Sequence, residues 1–190
     1  MRIIRKKGMR RQDTTHRSVA IFGGAFSPPH RGHVAMVRAL LKDPSIDQVW
    51  ILPVYRHPFA KEMVLFRHRL AMSRLAFASL SPRVRVRPLE QRLKGTSYTI
   101  RILRHLHRLY PRTRFRLVMG ADSYKERNKW KDMEGIRRMV DLIVFARGSS
   151  SEVPAISSTG LRRILKQGHA IKRWVPPKVA RYIQEKNLYT

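Results

Sequence analysis

Two rhythms of apolar and polar positions run through this chain, and the switch between them recurs along its length. Short apolar runs at 19–22, 48–52, 115–119 and 141–146, and the strict alternation at 84–87, have the length and period of strands. The run at 84–87 carries an arginine at every second position, which predicts a place near a sheet edge. Between them lie segments of helical period: 34–41, 66–80, 100–109, 161–167 and a closing stretch through 175–189. In the second of these, Leu70, Leu75, Phe77 and Ala78 are expected on or near the buried stripe, with Arg67, Arg69 and Arg74 among them and Pro82 as the stop. Strands alternating with helices predict one α/β domain over 18–190, a mostly parallel sheet of five or six strands with helices on both faces. Residues 1–17, with seven Lys or Arg and little apolar content, read as a basic extension outside it.

The chemistry gathers at the joints. After the first strand comes Gly23-Gly24-Ala25-Phe26-Ser27-Pro28-Pro29-His30-Arg31-Gly32-His33, leading into a helix. Paired glycines let a backbone turn tightly and approach a ligand. The helix start adds N–H groups and the positive end of a dipole, so this is a site for a polyphosphate. Two histidines three apart can also hold zinc. The chain has no cysteine and no acidic residue beside the pair, so phosphate is the better reading. Far downstream, Ile156-Ser157-Ser158-Thr159-Gly160-Leu161-Arg162 opens another helix, with hydroxyls for capping and a guanidinium for a bidentate grip on an anion.

These two motifs together resemble the signature of the nucleotidylyltransferase superfamily, and specifically of bacterial nicotinate-nucleotide adenylyltransferases, over residues 18–190. The resemblance implies a Rossmann-like nucleotidylyltransferase fold and adenylyl transfer from ATP to nicotinate mononucleotide, giving deamido-NAD and pyrophosphate. It implies that His30 and His33 hold the α-phosphate, and that Arg162 with Ser157, Ser158 and Thr159 receives the β,γ-phosphates. Gly23, Gly24, Ala25, Phe26, Gly32 and Ile156 complete the ATP side, together with Gly120 and Asp122, whose carboxylate takes ribose hydroxyls. Tyr98 and Thr99 at a helix start would receive the nicotinate carboxylate, and Trp130 would stack on the pyridine ring. His57, Lys61 and Arg147 are expected to face phosphate, Lys61 as a point charge among the catalytic groups. Magnesium is expected to arrive through the ATP phosphates, with no metal site of the protein's own. The chain departs from the family pattern at Ala25 and Ser27, where Thr and Asp are usual, and in its short connection 149–155. Pantetheine-phosphate, nicotinamide mononucleotide and cytidylyl-transferring relatives share the mechanism and are the nearest alternatives.

The formal charge of +29 on 190 residues changes the picture only modestly. Such a field draws in nucleotides and gives salt-dependent, non-specific contact with nucleic acid. The basic residues are spread over every segment, so a nucleic-acid-binding protein with a relic nucleotide site is the distant second reading. Lack of cysteine suits a cytoplasmic setting, and no apolar run approaches the roughly 20 residues that span a bilayer.

Overall fold

The computed structural model describes residues 2–4, 17–59, 63–146 and 156–189. The strands are β1 (Arg2–Ile4), β2 (Arg17–Gly24), β3 (Gln48–Pro53), β4 (Val84–Val86), β5 (Thr113–Gly120) and β6 (Asp141–Phe145). The helices are α1 (Arg31–Lys42), α2 (Phe66–Phe77), α3 (Leu89–Leu93), α4 (Thr99–Leu109), α5 (Ala121–Lys125), α6 (Met133–Met139), α7 (Ser158–Lys166) and α8 (Pro177–Glu185).

The six strands form one sheet in the order β1-β6-β5-β2-β3-β4. Strands β2 to β6 are mutually parallel, and only β1 runs antiparallel, against β6. Residues 2–4 of the expected basic extension thus take an edge position in the sheet, and Arg17 opens β2; residues 5–16 lie outside the described residues. The expected edge place of the 84–87 run is where β4 is found.

Alternation along β2 sorts the core into two layers. Ala20 and Phe22 face one side with α1, α2, α7 and α8; Val19 and Ile21 face the other with α4 and α6. Because both faces are covered, the central strands are buried almost throughout. The chain leaves β2 to build β3 and β4 on one side, and β5 and β6 lie on the other. The switch point falls at the carboxyl end of β2, where ligands of open α/β sheets bind. Among the described residues no helix is long and apolar enough to cross a membrane.

Helix α2 differs from the sequence expectation in two respects. It ends at Phe77, not at 80: the N–H of Ala78 still reaches the Arg74 carbonyl, but Leu80 turns back to Phe77 before Pro82 arrives. Its buried face is Phe66, Arg69, Met72, Ser73, Ala76 and Phe77, whereas Leu70 and Leu75 are half-buried and Ala78 is exposed. The stripe is rotated because a charged side chain, Arg69, is drawn inward by backbone carbonyls of the loops that cover the helix.

Candidate active site

The end of β2 needs a glycine at one of its two final positions, Gly24. A Cβ on Gly24 would come within 3.0 Å of the Phe26 ring, whereas one on Gly23 would meet nothing within 4 Å and would project into open cavity. Phe26 itself has φ of 47°, a left-handed conformation uncommon for a side-chain-bearing residue. Contacts of its buried ring with Phe22, Phe77 and His33, at centroid separations of 5.1 to 5.4 Å, hold it there. This strain sits directly beneath the proposed phosphate loop, and burial of the ring offsets it.

His30 and His33 form a reciprocal cap at the start of α1. The His33 N–H donates to His30 Nδ1 at 3.3 Å, and the His30 N–H donates to His33 Nδ1 at 3.2 Å. The rings stack with centroids 3.6 Å apart. Since each Nδ1 accepts a backbone N–H, the proton of each neutral imidazole is on Nε2. Both rings line the cavity with their tautomer fixed by this exchange.

The start of α7 is hydrogen-bonded onto the same loop. Arg162 Nη1 donates to the Ser27 carbonyl at 2.9 Å, and the Ser158 hydroxyl donates to the Pro28 carbonyl at 2.9 Å. Arg162 Nη2 reaches Thr159 Oγ1 at 3.3 Å, and Ser157 caps the helix by accepting from the Gly160 N–H. Two motifs more than a hundred residues apart thus line one cavity of about 400 Å³. Behind the loop, the Tyr189 hydroxyl and the Ser27 hydroxyl share a buried hydrogen bond of 3.0 Å, so the closing segment braces the position where Ser27 departs from the family pattern. Burial pushes the Tyr189 phenol up to about 12, against the opposing pull of Ser27, Arg162 and Arg69.

The same cavity is lined by Tyr98, Thr99 and Trp130, and by Asp122 and Ser123 of α5, just beyond the end of β5. Trp130 is half-buried and packs on the apolar layer under α4 and α6, which leaves its indole as part of the wall. Lys131 lies 4.8 Å above the Tyr98 ring. Glu90 of α3 is buried, and its oxygen accepts from the Tyr55 N–H at 3.1 Å. Desolvation pushes the Glu90 carboxyl from its ordinary 4.5 up to about 7, against the hydrogen bonds from Ser97 and Tyr55 and the positive charge of Arg69.

That displacement has a sign. The fold favours neutral Glu90, so its contribution is fully present below about pH 4.5 and is lost as pH rises through about 7, on the order of 3 kcal/mol. Chemical denaturation of wild type and Glu90→Gln between pH 4.5 and 8 is expected to show the variant gaining on wild type as pH rises. A difference constant with pH would contradict this ionisation.

A family model described as cytidylyltransferase-like matches residues 21–164. A protein of Anaeromyxobacter dehalogenans named "Probable nicotinate-nucleotide adenylyltransferase" is 37% identical over 182 residues, spanning 91% of this chain and 97% of its own. One of Leptospira interrogans with the same name is 32% identical over 191 residues, spanning 90% and 96%. The chain belongs to the nicotinate-nucleotide adenylyltransferase family. Among solved structures, Plasmodium falciparum nicotinic acid mononucleotide adenylyltransferase complexed with NaAD superposes with a TM-score of 0.77 over 92% of this chain and 98% of that one; at 20% identity this speaks to the fold.

Measured against the family signature, the cavity gathers Gly23, Gly24, Ala25, Phe26, His30, His33, His57, Tyr98, Thr99, Gly120, Asp122, Trp130, Ser157, Ser158, Thr159 and Arg162. Gly32 and Ile156 do not line it. Gly32 is buried in the first turn of α1, and Ile156 packs on the apolar layer beside α7. Lys61, Arg147 and the connection 149–155 lie outside the described residues. Sequence reasoning missed Glu90, Lys129 and Lys131 as cavity-lining residues, and Arg69 behind it. For Arg69 a signal existed: it falls three residues from both Phe66 and Met72, on the apolar stripe itself.

Proposed function

We propose that the protein transfers the adenylyl group of ATP to nicotinate mononucleotide, giving deamido-NAD and pyrophosphate. The observation that carries this reading is the stitching of α7 onto the loop after β2, with both motifs lining one cavity that Tyr98, Thr99 and Trp130 also line. A phosphate oxygen of the mononucleotide attacks the α-phosphorus of ATP, the α–β bridging P–O bond breaks, and pyrophosphate leaves with the electron pair. The nucleophile is ionised at neutral pH, so no general base is required, and the protein works by positioning and charge stabilisation.

His30 and His33 donate Nε2–H to the α-phosphate oxygens as charge develops there. Arg162 and the hydroxyls of Ser157, Ser158 and Thr159 take the departing pyrophosphate. Asp122 accepts ribose hydroxyls, Trp130 stacks on the pyridine, and the start of α4 at Tyr98 and Thr99 receives the carboxylate. His57, and with it Lys61 and Arg147, supplies further positive or donor character toward the mononucleotide phosphate.

A magnesium ion arriving with ATP would supply charge neutralisation, while His30, His33 and Arg162 are the protein's own groups toward the phosphates. Among the described residues there is no cluster of three or more His, Cys, Asp or Glu that could hold a metal ion. The cysteine-free chain suits action in the cytoplasm, and the +29 charge gives salt-sensitive, non-specific adhesion to nucleic acid beside the enzymatic role.

A coupled assay of pyrophosphate release tests the proposal. With ATP, nicotinate mononucleotide is expected to surpass nicotinamide mononucleotide in kcat/KM by more than about tenfold, because the site pairs a carboxylate with backbone N–H groups. Equal rates would overturn the acid preference, and no release with either would overturn adenylyl transfer.

A further inference from the structure

The segment Val54–Arg56 follows β3 and belongs to no helix or strand, yet its backbone polar groups are held by distant parts of the chain. The Val54 N–H donates to the Gly24 carbonyl at 2.9 Å. The Tyr55 N–H donates to Glu90 and to the Ser97 hydroxyl oxygen, each at 3.1 Å, and the Arg56 N–H donates to that same oxygen at 3.2 Å. The Arg56 carbonyl accepts from the Ser97 N–H at 2.9 Å. The carbonyls of Val54 and Tyr55 both accept from Arg69.

Arg69 is 2% exposed, and its guanidinium spans three segments at once. Besides Val54 and Tyr55 it holds the Val64 carbonyl at 2.9 Å and the Ala25 carbonyl at 3.1 Å. Glu90 makes no direct ion pair with it; the charge of Arg69 acts on Glu90 at longer range. Ser97 immediately precedes Tyr98 and Thr99, and Tyr55 lies two residues before His57. The cluster therefore ties the base of the phosphate loop, the wall at 54–57 and the start of α4 into one frame.

We propose that Arg69, Glu90 and Ser97 are positioning residues for the acceptor end of the cavity, setting the affinity for the mononucleotide through the backbone of 54–56 and the start of α4. This rests on the reading given under Proposed function. Among the described residues, Glu90 and Ser97 hydrogen-bond to this wall and to each other, so their loss is felt by the mononucleotide more than by ATP. Arg69 also holds Ala25, so its loss is felt at both ends. The fork geometry of its guanidinium is what reaches three segments, and an ammonium cannot replace it.

Steady-state kinetics with ATP and nicotinate mononucleotide, alongside thermal melting, tests this. Glu90→Ala and Ser97→Ala each leave the Tyr55 N–H with one of its two acceptors, and Ser97→Ala also frees the Arg56 N–H; both are expected to raise the mononucleotide KM about threefold to tenfold, with kcat and the ATP KM within about twofold of wild type. Glu90→Gln and Ser97→Thr keep an acceptor at the same place and are expected to restore the KM. Arg69→Lys is expected to raise both KM values. If Glu90→Ala does not fold, the Ser97 pair carries the test alone. An active wild type whose Ser97→Ala variant keeps the mononucleotide KM, or loses kcat instead, overturns the positioning role. A wild type inactive with this substrate pair overturns the functional reading and, with it, this inference.

Discussion

Replacing His33 by alanine is expected to lower kcat for pyrophosphate release by about 10²–10³-fold, with a far smaller change in the KM for nicotinate mononucleotide. His33 Nδ1 is committed to the His30 N–H and the His33 N–H to His30 Nδ1, so the pair locks both rings and both tautomers together. An N–H donor held in this way needs no reorganisation when negative charge gathers on the α-phosphate. Removing His33 removes one donor and also unlocks the other, since His30 loses its stacking partner and its reciprocal bond. The helix cap is weakened as well, at a cost of about 1 kcal/mol in stability. Melting of the variant alongside its kinetics separates the two effects. His33→Asn, which keeps a donor and a cap acceptor, is expected to fall between wild type and alanine. A His33→Ala enzyme within tenfold of wild-type kcat would remove the histidines from the phosphate-stabilising role.

The parts of this molecule that sequence made legible are those whose cause is local. Two apolar residues facing each way along 19–22 announce a strand buried on both faces, and it is the central strand of the sheet. His30 and His33 flank a helix start that their own spacing predicts, and Ser157 caps α7 as its hydroxyl suggests. What stayed hidden depends on pairs far apart in sequence. Arg69 differs from Arg67 and Arg74 in sequence only by its place on the apolar stripe, and the carbonyls that draw it inward, those of Ala25, Val54, Tyr55 and Val64, are not visible in the helix's own pattern. That draw also rotated the buried stripe of α2 away from Leu70 and Ala78. Glu90 is an ordinary surface residue until the 54–56 segment and Ser97 close over it. The bracing of Ser27 by Tyr189 joins positions 162 residues apart and has no counterpart in any motif. The N-terminal pairing of Arg2–Ile4 with β6 was obscured by the basic residues that follow it.

Arg162→Ala is expected to reduce kcat/KM for ATP by about 10²–10³-fold, and Arg162→Lys is expected to recover no more than about a tenth of the loss. Arg162 spends two of its five N–H donors inside the protein, one on the Ser27 carbonyl and one on Thr159 Oγ1. Those bonds set the plane of the guanidinium against the loop, and the remaining donors are the bidentate edge available to a phosphate. A lysine ammonium has three donors but all on one nitrogen, so it cannot hold Ser27 and also present a parallel pair of donors to the pyrophosphate. The structural share of the loss is bounded by the Ser158 hydroxyl, which ties α7 to the Pro28 carbonyl independently and keeps the helix in place. Melting temperatures of the two variants should therefore lie close together while their rates differ. Adding pyrophosphate as product inhibitor gives the second reading: alanine should weaken its inhibition far more than it weakens binding of the mononucleotide. Equal weakening of both would place Arg162 on the wrong half of the cavity, and the division of labour between α1 and α7 would have to be redrawn.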